Sequence, residues 1–261
     1  MEEINFDVPQ SARIWNYWMG GKDNYPVDRA AGDAWAAIQP EIVDIARQSR
    51  QFLIRTVRYL AEEAGIRQFL DIGTGLPTLQ NTHEVAQAIA PESRVVYVDN
   101  DPLVLAHARA LLVNTTPEGV TTYVEADYHA PSLIVADARN ILNFNEPVAV
   151  MFMGVLGHVA EYQRAREIVA RVVDSTPTGS TLTLWENTNL TESARLAASE
   201  YPDSGAVPYR LCSVEQVAGF FKSMELIEPG VVPINHWRPN RIEVGTLPAG
   251  IDAYGAVGRK V

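Results

Sequence analysis

Between residues 67 and 222 the chain alternates short apolar runs with helical patterns, and that alternation limits the folds open to it. Apolar runs at 68–72, 94–98, 121–126, 148–153 and 180–185 read as strands. Helical patterns at 102–113, 132–138, 161–174 and 213–222 follow them, the last opened by the box-like cap Ser213-Val214-Glu215-Gln216, and Asn81-Thr82-His83-Glu84 marks one more helix start after the first strand. Strand–helix–strand repeats make neighbouring strands parallel and align their C-terminal ends along one edge, where ligands bind. After Lys222 the crossovers stop. Residues 226–233 and 254–259 read as two strands without an intervening helix, which favours an antiparallel ending. The expected class is α/β, a mostly parallel sheet with helices on both faces.

The first 40 residues do not share this pattern. They hold Trp15, Trp18 and Trp35, and two helices, at 11–19 and after Pro26, flank the polar turn Gly20-Gly21-Lys22-Asp23-Asn24-Tyr25. A long helix follows Pro40, with Ile42, Ala46, Leu53, Val57 and Leu60 at helical spacing and Gly65 at its end. We therefore divide the chain into an N-terminal helical extension, 1–40, and a ligand-binding domain, 41–261.

Composition removes several function classes. The net charge of -11 opposes long-range attraction to phosphate backbones, and no Lys/Arg run compensates, so nucleic acid is not an expected partner. The most apolar stretch, 148–156, is far short of the roughly 20 residues of a membrane span. The first residues carry no apolar signal core, and the single cysteine, Cys212, permits no internal disulfide. A soluble cytoplasmic protein is expected.

Polar groups with ligand chemistry stand at successive strand ends. Asp71-Ile72-Gly73-Thr74-Gly75 closes the first strand: the glycines let backbone approach a ligand, and the acid before them suits an ammonium better than a pyrophosphate. A tight turn with a capping acid is the competing reading. Asp99, followed by Asn100, closes the second strand, where a carboxylate holds both hydroxyls of a ribose. Asp127-Tyr128 follows the third; the pair suits an adenine amino group and ring, or the acid is merely solvated. The fourth strand opens into Met153-Gly154-Val155-Leu156-Gly157-His158, where His158 is either a base or substrate contact, or a histidine satisfied by backbone.

Taken in order, these groups match an amino acid, a ribose, an adenine and a reacting centre. The sequence resembles the class I S-adenosylmethionine-dependent methyltransferases, and more closely an actinobacterial methyltransferase family formerly classed as a domain of unknown function. The resemblance rests on residues 9–17 and 20–25, on 69–78 and 95–102, and on 228–232, 236–239 and 255–260. Two positions depart from the family pattern: Ser49 before Arg50, and Gly157 between Leu156 and His158. The resemblance implies a Rossmann-like, seven-stranded sheet with an antiparallel last strand. It implies S-adenosylmethionine as cofactor, S-adenosylhomocysteine as product, and in-line methyl transfer, which needs no metal because the sulfonium is already activated; the missing basic groove and the aromatic N-terminus favour a small-molecule acceptor.

On this reading the cofactor-binding candidates are Tyr17, Gly20, Lys22, Asn24, Arg50, Asp71, Ile72, Gly73, Thr74, Gly75, Asp99, Asn100, Asp127, Tyr128 and Met153. Asp23, Tyr25 and His158, with Glu186 behind them, are the candidate bases. Residues 1–25 are expected to form a lid over the cofactor and shape the substrate pocket. A non-catalytic S-adenosylmethionine-binding protein is the alternative. A nicotinamide-dependent oxidoreductase is the weaker rival, because the third glycine of its fingerprint is absent after Gly75.

Overall fold

The computed structural model describes residues 5–78, 80–111, 113–239 and 249–261. Three helices lead in: α1 (Ser11–Trp18), α2 (Pro26–Ile38) and α3 (Ile42–Glu62). The alternating part follows as β1 (Gln68–Ile72), α4 (Thr82–Ile89), β2 (Arg94–Asp99), α5 (Pro102–Leu111), β3 (Val120–Glu125), α6 (Pro131–Ala138), β4 (Ala149–Met153), α7 (Tyr162–Asp174) and β5 (Thr181–Asn187). The chain ends with α8 (Glu192–Glu200), α9 (Val214–Gly219), β6 (Met224–Leu226), β7 (Val232–Pro233) and β8 (Ala253–Lys260).

The sheet runs β3-β2-β1-β4-β5-β8-β6, seven strands along its path, with β7 as a short extra pairing on β8. The first five are parallel, and β8 enters antiparallel between β5 and β6. This is the expected sheet, with one correction. The single strand expected at 226–233 is two pieces, because Gly230 turns the chain with a positive φ of 83° and its N–H donates to the Ile227 carbonyl. Two further corrections concern helices. α8 was not foreseen, and α9 stops at Gly219, short of 222. Of the helix expected at 102–113, residue 112 lies outside the described residues.

Strand alternation sorts the core into two layers. Phe69, Val95, Tyr97, Met151 and Trp185 point toward α3 and α4, whereas Leu70, Ile72, Val96, Phe152 and Leu184 point toward α6, α7 and α9. The first layer also takes in Ile14 and Trp18 of α1 and Trp35 of α2. The N-terminal helices are thus continuous with the core of the sheet. A fully buried ion pair, Arg13 to Asp28 at 3.0 Å, ties α1 to α2. Asp28 also accepts from the Gln10 and Tyr25 backbone N–H groups, which compensates the cost of its burial.

Candidate functional site

A cavity of about 400 Å³ opens over the C-terminal ends of β1, β2, β4 and β5 and beneath α1. Its volume suits a small-molecule ligand. The sheet edge of one end is built by the turn after β1. Gly73 has a φ of 73° and its N–H donates to the Val98 carbonyl at 2.8 Å. A Cβ there would stand 2.5 Å from a Val155 methyl, so both conformation and space require glycine. Gly75, φ 66°, faces open space instead, and its N–H donates to Asp99 at 2.9 Å. Asp99 also accepts from the Asp101 N–H at 3.0 Å. Burial raises the Asp99 carboxyl above the usual range, while these backbone donors act in the opposite direction.

Arg50 reaches this end from α3. Among the described residues its guanidinium has no hydrogen-bond or ion-pair partner, and burial lowers its pKa despite the nearby charges of Asp71 and Glu84. A half-buried cation without a hydrogen-bonded counter-charge leaves this end of the cavity short of an anion. Asp71 lies behind the turn. It accepts from the Thr82 hydroxyl at 2.8 Å, and burial pushes its carboxyl up to about 6.

The other end is aromatic. Trp15, Trp18, Trp35, Trp185, Tyr201 and Tyr209 line it. Trp15 stacks on Trp185 with centroids 5.8 Å apart, and Trp35 meets Tyr201 edge-on at 4.8 Å. Gly154 and Gly157 make room for these rings: a Cβ would stand 2.3 Å from the Trp185 indole at the first and 2.2 Å from the Tyr209 ring at the second. The glycine between Leu156 and His158 therefore has a packing reason.

Behind this wall Glu186 is fully buried. It accepts from the Leu156 and Gly157 N–H groups at 2.8 and 3.0 Å and from the Tyr209 hydroxyl at 2.6 Å. Burial still pushes its carboxyl up to about 7. The geometry makes Glu186 a clamp between the β4 loop and Tyr209; it does not line the cavity. His158 does. Its Nδ1–H donates to the Pro208 carbonyl at 3.1 Å, which leaves Nε2 to accept from the Ser11 hydroxyl at 2.7 Å. Burial lowers its pKa, so the ring is neutral near pH 7.

The cavity thus brings together Arg50, Ile72, Gly73, Thr74, Gly75, Asp99, Asn100, Tyr128, Met153 and His158 of the residues expected from sequence. Others stand outside its lining. Asp127 is exposed and holds the His129 N–H and ring at 2.8 Å each. The Tyr17 hydroxyl donates to Asp33, and Lys22 is exposed. Asn24 ties the polar turn together, donating to Asn16 and Gly21 and accepting from Arg29, while Gly20 supplies a φ of 84° there. Asp23 is held through its N–H by Asn16, and Tyr25 packs on Phe6 and Arg13. The polar run 20–25 is therefore a self-contained turn between α1 and α2. Sequence reasoning missed Ser11, Trp185, Asn187, Tyr201 and Tyr209 as lining residues. Only Asn187 carried a signal, as a polar residue closing a strand in the manner of Asp99.

Comparison with known proteins agrees with this geometry. A DUF574-family protein of Streptomyces avermitilis shares 43% identity over 99% of this chain and 100% of its own, with a TM-score of 0.93. A Thermobifida fusca protein shares 37% identity over 98% of this chain and 96% of its own, at a TM-score of 0.89. A SAM-dependent methyltransferase of Anabaena variabilis, 15% identical over the whole of both chains with a TM-score of 0.51, shares the fold. No curated protein matches the sequence. The S-adenosyl methyltransferase family model matches residues 1–261, and the chain belongs to that family, a methyltransferase dependent on S-adenosylmethionine.

Proposed function

We propose that the protein transfers a methyl group in line to a small-molecule acceptor bound at the aromatic end of the cavity. The observation that carries this reading is the unpartnered Arg50 guanidinium, set beside the open Gly73–Gly75 turn and the Asp99 carboxylate. The bound S-adenosylmethionine supplies an already activated methyl group. What remains for the chain is to orient the reactants, exclude water and accept a proton where the acceptor loses one.

Arg50 would hold the cofactor's carboxylate, which would supply the counter-charge that the guanidinium lacks among the described residues. Asp99 accepts backbone N–H groups from Gly75, Asp101 and Asn100, and its remaining acceptor capacity would serve a ribose hydroxyl. Tyr128 offers its ring to the adenine, and Asp127 would have to release His129 to reach the amino group. Of the four candidate bases only His158 lines the cavity, with Nε2 already an acceptor. The N-terminal helices would cover the site, supported by the Ser11–His158 bond and the tryptophans they share with the core. A cytoplasmic location belongs to the same reading, supported by one buried cysteine; no helix among the described residues is long and apolar enough to cross a membrane. The Streptomyces and Thermobifida relatives support an actinobacterial source.

Calorimetric titration with S-adenosylmethionine, S-adenosylhomocysteine and NAD tests this assignment. The two S-adenosyl ligands should bind and NAD should not. Asp99→Ala should weaken both by roughly 10- to 150-fold, the loss of one charge-assisted hydrogen bond. Binding of NAD alone, or equal affinity in the variant, would sink the site assignment.

A further inference from the structure

The aromatic end carries two polar groups that the protein itself leaves without partners. Asn187, which ends β5, lines the cavity and is 6% exposed. Its Oδ1 is buried and has no hydrogen-bond partner among the described residues. Trp185, two residues earlier on the same face of β5, lines the same wall, and its Nε1–H is likewise unpartnered. The neighbouring indoles behave differently. Trp18 donates to the Gly32 carbonyl at 3.1 Å and Trp35 to Gln39 at 2.9 Å. Trp237, whose indole N–H is also unpartnered, packs away from the cavity against Phe52 and Tyr59. Buried polar atoms are nearly always satisfied, so an unsatisfied amide at a cavity wall points to a ligand group.

The surroundings define that ligand. Among the described residues lining this end, none is Asp, Glu, Lys or Arg; the charged lining residues, Arg50, Asp99 and Asp101, belong to the other end. A charged acceptor would enter a site with no counter-charge, at a large desolvation cost. The walls are flat rings, the Trp15–Trp185 stack on one side and the Trp35–Tyr201 pair on another. Strand order fixes the distance. β5 lies two strands from β1, about 10 Å along the sheet edge, which sets Asn187 beyond the cofactor turn and past the β4 end.

We infer that the acceptor is a planar, uncharged aromatic molecule whose ring N–H or O–H is read by Asn187 Oδ1 once the amide turns toward the cavity that the residue lines. This rests on the methyl-transfer reading and names its substrate class. Asn187 is a recognition residue here and takes no proton, since an amide oxygen is not a base near neutral pH.

The test uses the full chain saturated with S-adenosylhomocysteine and three probes followed by calorimetry: indole, benzofuran, and indole-5-carboxylate. Benzofuran has the shape of indole with the N–H replaced by oxygen; the third probe adds a charge. Indole should bind best, benzofuran on the order of tenfold more weakly, and the carboxylate beyond detection. Asn187→Leu should bring indole down to the benzofuran level, its fold checked by circular dichroism. The unmodified chain's preference order decides the matter even if the variant is unstable. Equal or tighter binding of the carboxylate, equal binding of indole and benzofuran, or no binding of any probe while S-adenosylhomocysteine binds normally would each overturn the inference and leave the methyl-transfer reading intact. Failure of S-adenosylhomocysteine to bind would overturn the methyl-transfer reading, and this inference with it.

Discussion

The two ends of the cavity are built by different means. The end over β1 and β2 is made from backbone and charge: glycines at positive φ, N–H groups on Asp99, and one free guanidinium. All of these but Arg50, which comes from the middle of α3, lie within a few residues of a strand terminus. The end over β4 and β5 is made from side-chain volume, with rings contributed by α1, α2, β5 and the 201–209 segment. The first end suits a ligand whose polar groups never vary. The second can be re-cut by changing rings without touching the turn. On the proposed reading a division of labour follows: affinity for the cofactor would reside in conformation, and choice of acceptor in packing.

The largest effect is expected at Gly73. Gly73→Ala meets both the left-handed backbone and the Val155 methyl, and should cost about 2–4 kcal/mol in stability together with most of the cofactor affinity. Urea unfolding and calorimetry measure the two losses; a stable variant with normal binding would break the contrast at its stronger end. Trp15→Ala comes next. It removes half of the Trp15–Trp185 stack and should destabilise by roughly 1–3 kcal/mol, the ring being only partly buried. S-adenosylhomocysteine affinity should stay within about twofold, as for independent sites. A large loss of cofactor binding would show that the two ends are one site.

Each end also conceals a buried acid with its own pH window. The Asp71 carboxyl, ordinarily near 3.8, is raised to about 6, and Glu186, ordinarily near 4.5, to about 7. A raised carboxyl makes the folded state hold its proton more tightly than the unfolded chain. Its stabilisation is therefore complete below the unfolded pKa and is lost as pH rises through the folded one. Unfolding free energy should fall between about pH 4 and 7, and Asp71→Asn should remove the lower part of that fall, of order 2–3 kcal/mol, while leaving the Glu186 part. Denaturant melts across pH check it; an unchanged profile would refute the assignment. The smallest effect is expected for Ser11→Ala. Loss of one hydrogen bond to His158 should lower Tm by about 2–4 °C. It is a gentler probe of the N-terminal cover than deleting residues 1–25, which would strip Ile14, Trp18 and the Arg13 side of a buried ion pair from the core.

The sheet was legible because its information is local. Gln68–Ile72 and its successors announce strands by composition, and Gly73 and Asp99 sit where strand geometry puts them. The aromatic end was not, because nothing in residues 181–187 says that Trp185 will meet Trp15, some 170 positions earlier. That contact is made only when α1 folds back over the sheet. The run 20–25 poses the same difficulty. Its glycines, amides and charges resemble ligand groups, yet Asn16 and Asn24 consume their polarity within the turn. Local pattern shows that polar groups are gathered there and does not show whether another part of the chain has already satisfied them.

Four of the five tryptophans, Trp15, Trp18, Trp35 and Trp185, border the cavity, and the fifth, Trp237, is sealed away against α3. The molecule's near-ultraviolet emission is in consequence an optical record of its own binding site. A ligand entering between the helices and the sheet should perturb the Trp15–Trp185 stack, which would make occupancy readable without a label. The stacked pair joins one ring from the N-terminal cover to one from the sheet, so its dichroism would register separation of those two layers in the same spectrum.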